Sequence, residues 1–165
     1  MTRSARLATI AAAAVVAIAG LIAYFYLPLE SDEIRLPVVD GCALHLEACS
    51  VQFPQGGSMT FEITPLRPSP ADTLQVKARF NQMAPQTVGV RFKGVDMNMG
   101  YLEHFVYEMQ KSKAPEAGPG PSFSGEAGVF VCARNLMQWL VLVKVKTVDG
   151  IRYEVPFRFE TLQRG

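Results

Sequence analysis

The sequence predicts an all-β domain, an immunoglobulin-like antiparallel two-sheet sandwich, preceded by one N-terminal transmembrane helix. Residues 7–27 carry no charge, and beyond residue 40 apolar and polar residues alternate in several short segments. Proline, glycine and aspartate separate these segments at the places where turns are needed. Seven or eight short strands in about 120 residues are typical of an immunoglobulin-like sandwich, with a closed barrel as the alternative.

The segment from Leu7 to Leu27 is predicted to span a membrane. Its 21 residues would form a helix about 30 Å long, which matches the hydrocarbon core of a bilayer. A cleaved signal peptide is the alternative, because Ala17-Ile18-Ala19 resembles a cleavage site, but the apolar run continues beyond it. Arg3 and Arg6 precede the segment, which predicts a cytoplasmic N-terminus and an exported C-terminal domain.

The chain beyond the span is predicted to form a tether and one exported domain. Residues 1–29 are the expected anchor, residues 30–41 the tether, and residues 42–162 the β-sandwich. Period-two alternation predicts strands at 73–80, 87–92 and 151–159. Turn residues bound further candidate strands at 44–52, 58–64, 101–110, 123–132 and 136–147.

Three local features refine this prediction. Asp149-Gly150 predicts a hairpin with a two-residue turn, because both residues tolerate positive φ angles. Pro156 lacks an N–H group for a sheet ladder, so the last strand is expected at a sheet edge or a bulge. Residues 115–121, which are rich in proline and glycine, predict a mobile loop.

Charge and cysteine content limit the possible functions. The chain has 16 basic and 15 acidic residues, and of these Arg3, Arg6 and Glu30 lie in the first thirty, so the exported part is formally neutral. No basic stripe is present, so nucleic acid is not an expected partner. In an oxidising compartment the three cysteines predict one disulfide and one leftover thiol. Cys42 and Cys49 are nearest in sequence, but pairing of Cys132 with either remains open.

Catalytic motifs are sparse, so an enzyme is not expected. His45 and His104 are the only histidines, and no serine or cysteine lies in a nucleophile-elbow context. The glycine-rich stretches at 56–57 and 118–120 match no phosphate-binding loop.

A metal site is the more specific hypothesis. Thioether and thiolate sulfurs are soft ligands that select Cu(I). Met97 and Met99 would point to the same side of an extended segment, and His104 follows them. Cys132 and Met137 form a second sulfur group, with Trp139 close by in sequence. The alternative is that these methionines fill the core or form an adaptable hydrophobic contact surface.

The segments "FKGVDMNMGY", "FVCARNLMQW" and "CALHLEACSV" carry a resemblance to a known group. They resemble uncharacterised bacterial single-span proteins whose exported β-sandwich has Gly-x-Asp-Met-x-Met-Gly and Cys-x4-Met-x-Trp motifs. These are loosely similar to the FixH and YtkA-like domains associated with copper handling.

The Met-x-Met pair is also similar in chemistry to that of small periplasmic copper-efflux metallochaperones, with Met97 and Met99 matching the paired ligands. The resemblance implies a membrane-anchored Cu(I) chaperone or cytochrome oxidase assembly factor, whose partner is a membrane-bound oxidase or a copper exporter. The alternative is a metal-free interaction or assembly subunit of a membrane complex.

Overall fold

A computed structural model describes residues 15–18, 20, 33–113, 120–130 and 135–163. The regular secondary structure of the described chain after residue 32 consists of β-strands and one short 3₁₀-helix at Gly100–His104. The strands are β1 (Glu33–Arg35), β2 (Cys49–Gln52), β3 (Ser58–Thr64), β4 (Leu74–Asn81), β5 (Pro85–Gly94), β6 (Tyr107–Lys111), β7 (Ser122–Ala127), β8 (Leu136–Thr147) and β9 (Arg152–Leu162). The prediction of an all-β fold is therefore confirmed.

The nine strands form one curled sheet in the order β1-β9-β8-β5-β6-β7-β4-β3-β2. Strand β6 makes the sheet continuous, because Tyr107 and Met109 pair with β5 whereas Gln110 and Lys111 pair with β7. The two halves face each other across the core, as in a sandwich. The rings of Phe61 in β3 and Phe157 in β9 stack there, with centroids 5.9 Å apart.

Alternation along the strands builds this core. In β3 and β4 every second side chain is buried, and the intervening residues are polar and at least partly exposed. The aromatic and methionine side chains of the buried cluster come from both halves of the sheet, and they are Phe53, Met59, Phe61, Phe80, Phe92, Met109, Phe123, Met137, Trp139, Tyr153, Phe157 and Phe159.

The hairpin predicted at Asp149-Gly150 is present, but its loop is one residue longer than expected. Lys146 pairs with Arg152, and the N–H of Thr147 donates to the carbonyl of Ile151 at 2.9 Å, so residues 148–150 form the loop. Among them only Gly150 has a positive φ, of 86°. The predicted two-residue turn was wrong. It would need a positive φ at both Asp149 and Gly150, whereas a three-residue loop needs one only at its last position, which Gly150 occupies.

The segment predicted as a tether, residues 30–41, includes β1, which pairs in parallel with β9 from Glu33 to Arg35. Further along, the N–H of Val39 donates to the carbonyl of Pro156 at 3.1 Å. The nitrogen and oxygen of one strand residue point to the same side, so the missing N–H of Pro156 faces this segment and not β8. The β8–β9 ladder therefore loses no hydrogen bond. The predicted position at a sheet edge or a bulge was wrong, because β1 and the residues after it cover the other side of β9, and the register with β8 is continuous.

Three predicted strands are shorter in the structure. Of 44–52 only Cys49–Gln52 is a strand, since residues 44–46 form a turn closed by the Cys42–Cys49 disulfide. The predicted strand 101–110 begins with the 3₁₀-helix, and the one at 123–132 ends at Ala127. The disulfide confirms one of the pairings that the sequence allowed.

The predicted transmembrane segment, 7–27, lies largely outside the described residues. Within it residues 15–18 and 20 are helical. Among the described residues, no helix has the length and apolar character needed to cross a bilayer. Most of the predicted mobile loop, residues 114–119, also lies outside them.

Candidate functional site

The segment between β5 and β6 forms a tight turn that positions the candidate methionines. A Cβ atom at Gly94 would lie only 2.5 Å from the carbonyl oxygen of Met97, so the chain can fold back here only over a glycine. The side chain of Asn98 accepts a hydrogen bond from the N–H of Gly100 at 2.7 Å, and Glu103 accepts one from the N–H of Met99 at 3.0 Å. The polar and glycine residues of this motif therefore hold the turn.

The two methionines of the turn have different surroundings. Met97 is exposed, with 36% of its surface accessible, whereas Met99 is half-buried and packs against the core. The Cγ atom of Met99 would lie 3.6 Å from a Cβ at Gly94, so its side chain covers that glycine. Gly94 pairs with Trp139 of β8, which means that Met99 lies at the same end of the sheet as the start of β8.

Met137 and Trp139 are core residues of β8, each 1% exposed. They lie on the inner face of the strand, two residues apart. The indole N–H of Trp139 donates to the hydroxyl of Thr161 at 3.0 Å, which satisfies its one polar group. The chain thus brings Met99 and Met137 to one end of the core.

The other predicted metal ligands are placed differently. His104 ends the 3₁₀-helix and is exposed. Cys132 lies outside the described residues, and the two other cysteines of the chain are bonded to each other. Among the described residues, no three histidine, cysteine, aspartate or glutamate side chains are grouped so that they could hold a metal ion.

Five segments of the chain meet at this end of the domain. The N–H of Val95 donates to the carbonyl of Gln138, and Leu136 pairs with Leu162. The N–H of Leu162 in turn donates to the carbonyl of Pro68 at 3.2 Å. Arg67 then connects to the disulfide loop, donating its N–H to the carbonyl of His45 at 2.8 Å.

Large exposed apolar side chains gather where these segments meet. We call this surface the apolar end, and its residues are Leu46, Leu66, Val95, Met97, Tyr101, Phe105, Leu136 and Leu162. Among the described residues after residue 32, the other large exposed apolar side chain is Val148, in the β8–β9 hairpin at the opposite end. The most exposed member, Tyr101, has 83% of its surface accessible.

The sequence analysis did not identify this surface, although it identified Met97. Tyr101 and Phe105 lie in a segment predicted as a strand, where half of the side chains are expected in the core. The positive φ of Gly100, 60°, and the hydrogen bond from Met99 to Glu103 instead start a helical turn. Asn98 and Gly100 favour a turn, but this signal does not show that the turn continues as a helix through Tyr101.

Comparison of the chain with protein-family models, with curated proteins and with solved structures gives no match.

Proposed function

We propose that this chain is an interaction or assembly subunit of a membrane complex, which binds an apolar surface of a partner protein through the apolar end. In this proposal residues 1–29 anchor the chain in the inner membrane, and an immunoglobulin-like domain, residues 42–162, works in the periplasm. The observation that supports the binding role is that eight of the nine large exposed apolar side chains in the described chain after residue 32 lie at one end of the domain.

Exposed apolar residues that are scattered singly need no explanation, whereas a collected set marks an interaction surface. The composition of the apolar end is that of an interface, since aromatic residues and methionine are enriched in interfaces. Tyr101 and Phe105 supply rigid contact area, and the flexible thioether of Met97 can adapt to the partner.

Charge at the rim of the apolar end favours a different protein over a second copy of this chain. Glu47, Asp96 and Glu103 lie in the segments that form this end. Among the described residues of these segments, Arg67 is the single lysine or arginine. A two-fold contact between identical surfaces would bring these carboxylates toward their own copies. A partner with a basic rim around an apolar patch avoids that repulsion.

Photo-crosslinking in the native membrane tests this proposal. We would place a benzoylphenylalanine at Tyr101 or Phe105 of the full chain, with Val148 as the matched exposed apolar position at the opposite end. We expect a discrete adduct from positions 101 and 105 and none from 148. On native gels, Phe105→Asp should release the chain from its complex, and Val148→Asp should not.

Two results would contradict the proposal. An adduct with the mass of two copies of the 18.1 kDa chain would mean self-association. Equal adducts from positions 105 and 148 would mean that the apolar end has no special role.

The second candidate function is Cu(I) binding at Met97 and Met99, assisted by His104, Cys132 or Met137. The observation that favours it is that the accessible Met97 and the half-buried Met99 share one short turn, at the end of the core that also holds Met137. In this proposal the chain is a copper chaperone or an oxidase assembly factor. It would pass the ion to a membrane-bound oxidase or a copper exporter.

Competition with a chromogenic Cu(I) chelator tests the second candidate. The full chain in detergent should withdraw Cu(I) from the chelator, and the double variant Met97→Leu, Met99→Leu should not. Met83→Leu, in the β4–β5 connection, is the matched control and should compete like the unchanged chain. Undiminished competition by the double variant would remove the site assignment.

A further inference from the structure

The outer face of the sheet, away from the core, carries two positive side chains in direct opposition near the β8–β9 hairpin. Lys146 of β8 and Arg152 of β9 are cross-strand partners, and both are half-buried. Like charges placed directly opposite each other destabilise a sheet. Thr87 of β5 lies on the other side of Lys146 in the same row, so that a hydroxyl adjoins the two cations.

The carboxylates beside this pair are engaged by other cations. Glu33 accepts a hydrogen bond from Lys144 at 2.7 Å. The buried Glu154 lies 3.1 Å from Arg91 and 3.5 Å from both Arg35 and Lys144. Among the described residues, neither Lys146 nor Arg152 forms an ion pair or a side-chain hydrogen bond, although Glu33, which is paired with Lys144, is the cross-strand neighbour of Arg152 in β1.

Lys146 and Arg152 line a cavity of about 260 Å³ on the outer face. Gly89 leaves the room for it, because it has no side chain between Lys144 and Glu108, its cross-strand neighbours. A Cβ at Gly89 would come within 2.8 Å of Val106, which also lines the cavity. Lys146, Arg152 and Thr87 all lie along its wall.

We propose that this cavity binds a phosphodiester, with Lys146 and Arg152 holding the phosphate oxygens and Thr87 donating a further hydrogen bond. Arginine and lysine are the usual ligands of a phosphate group. Glu33 and Glu108 line the same cavity together with Lys144, and the two carboxylates lower its positive potential. The lining therefore favours a singly charged diester over a polyphosphate.

Two sources offer this chemistry, a soluble diester and the headgroup of a phospholipid. The sequence favours the lipid as the source. Only five residues separate the predicted span, which ends at Leu27, from Glu33, which lines the cavity. The cavity shares no lining residue with the apolar end, so this inference does not depend on the proposed docking function.

The test uses the full chain in a maltoside detergent, which contains no phosphate. Dimethyl phosphate is titrated at constant ionic strength, against chloride, and the backbone amide shifts of residues 87, 89, 146 and 152 are followed. We expect saturable shifts at these amides. A parallel titration uses a short-chain phosphatidylglycerol, and binding at least tenfold tighter than that of dimethyl phosphate would identify the lipid as the source.

The double variant Lys146→Gln, Arg152→Gln should lose the saturable shifts, with at least a tenfold weaker affinity. Lys93→Gln, on the outer face of β5 but outside the cavity lining, is the matched control and should bind as before. A second readout guards against a folding defect. Without ligand and at low salt, Lys146→Gln should melt at a higher temperature than the unchanged chain, because the repulsion is removed.

Three results would overturn the proposal. The first is the absence of saturable shifts with both dimethyl phosphate and the lipid. The second is unchanged affinity in a folded double variant, and the third is an equal loss of affinity in Lys93→Gln.

Discussion

At the scale of single residues, the core accommodates polar atoms only where each has a specific partner. Trp139 and Thr161 are both 1% exposed, and the indole N–H donates to the threonine hydroxyl. This bond spans neighbouring strands near the apolar end, directly beneath the turn that carries Met97 and Met99. A buried indole without an acceptor would retain the full cost of losing its contact with water.

Thr161→Val should therefore lower the free energy of unfolding by about 1–3 kcal/mol, because the shape is kept but the acceptor is lost. Thr161→Ser keeps the hydroxyl and should cost less, which makes it the control. Denaturant unfolding followed by the fluorescence of the single tryptophan measures both. Equal losses in the two variants would show that the methyl group matters and the hydrogen bond does not.

Tyr153 gives the domain a dependence on alkaline pH. Burial raises the pKa of its phenol above the ordinary value of about 10, because the phenolate would be poorly solvated. Between the two pKa values the unfolded chain loses the phenolic proton while the folded chain keeps it. The free energy of unfolding should therefore fall as the pH rises above about 10.

Tyr153→Phe should remove this part of the pH dependence. We expect the difference in free energy of unfolding between the variant and the unchanged chain to be constant up to about pH 9 and to move in favour of the variant above about pH 10. Parallel curves across that range would contradict the assignment to Tyr153.

At the scale of elements, the Gly-x-Asp-Met-x-Met-Gly motif is first of all a turn. Gly94 admits the carbonyl of Met97, Asn98 binds the N–H of Gly100, and Gly100 adopts a positive φ. These requirements account for the glycines and the asparagine, and they leave Met97 and Asp96 exposed for binding.

Gly94→Ala should disturb this turn, since its Cβ would meet a backbone carbonyl at 2.5 Å. We expect a loss of about 1–3 kcal/mol in the free energy of unfolding and shifted amide resonances from residue 95 to residue 100. Gly128→Ala is the control, since the nearest atom is 3.9 Å from its Cβ, and it should change stability by less than about 0.5 kcal/mol. Shifts in both variants would show that the turn is not the cause.

At the scale of the whole molecule, the curl of the sheet determines which strands meet across the core. β3 and β9 are far apart in strand order, yet Phe61 and Phe157 stack. Both side chains are fully buried. The contact is therefore between the two halves of the sheet and not between paired neighbours.

A double-mutant cycle with Phe61→Leu and Phe157→Leu should give a coupling energy of about 0.5–1.5 kcal/mol, as expected for paired aromatic rings. The pair Phe61 and Phe105, in which Phe105 is exposed at the apolar end, is the control and should be additive. Additivity in the first pair would mean that the two halves do not pack as described.

Much of the β-structure could be predicted because alternation and turn residues are local signals. The strand predicted at 58–64 has the observed bounds, since Gly57 precedes it and Pro65 follows it. Residues 44–48 were predicted as part of a strand because their apolar residues alternate by chance. The disulfide and the pairing of Ala43 with Arg158 instead bend this segment.

The candidate sites depend on register and curl, which the sequence does not encode locally. A two-residue turn at 149–150 would have placed Lys146 opposite Tyr153. The three-residue loop instead places it opposite Arg152, and this difference brings the two cations together. The apolar end likewise needs the fold, since its members come from 46 to 162 along the chain.

The parallel pairing of β1 with β9 has a mechanical consequence. β1 begins beside the start of β9, at the hairpin end, and β9 finishes at the apolar end. Tension applied between Glu33 and a partner held at Leu162 would act along the two strands. It would load all the hydrogen bonds between β1 and β9 at once, in shear. A domain pulled in this geometry resists rupture far better than one whose bonds open in succession, so the pairing of β1 with β9 would carry a load applied along the strands.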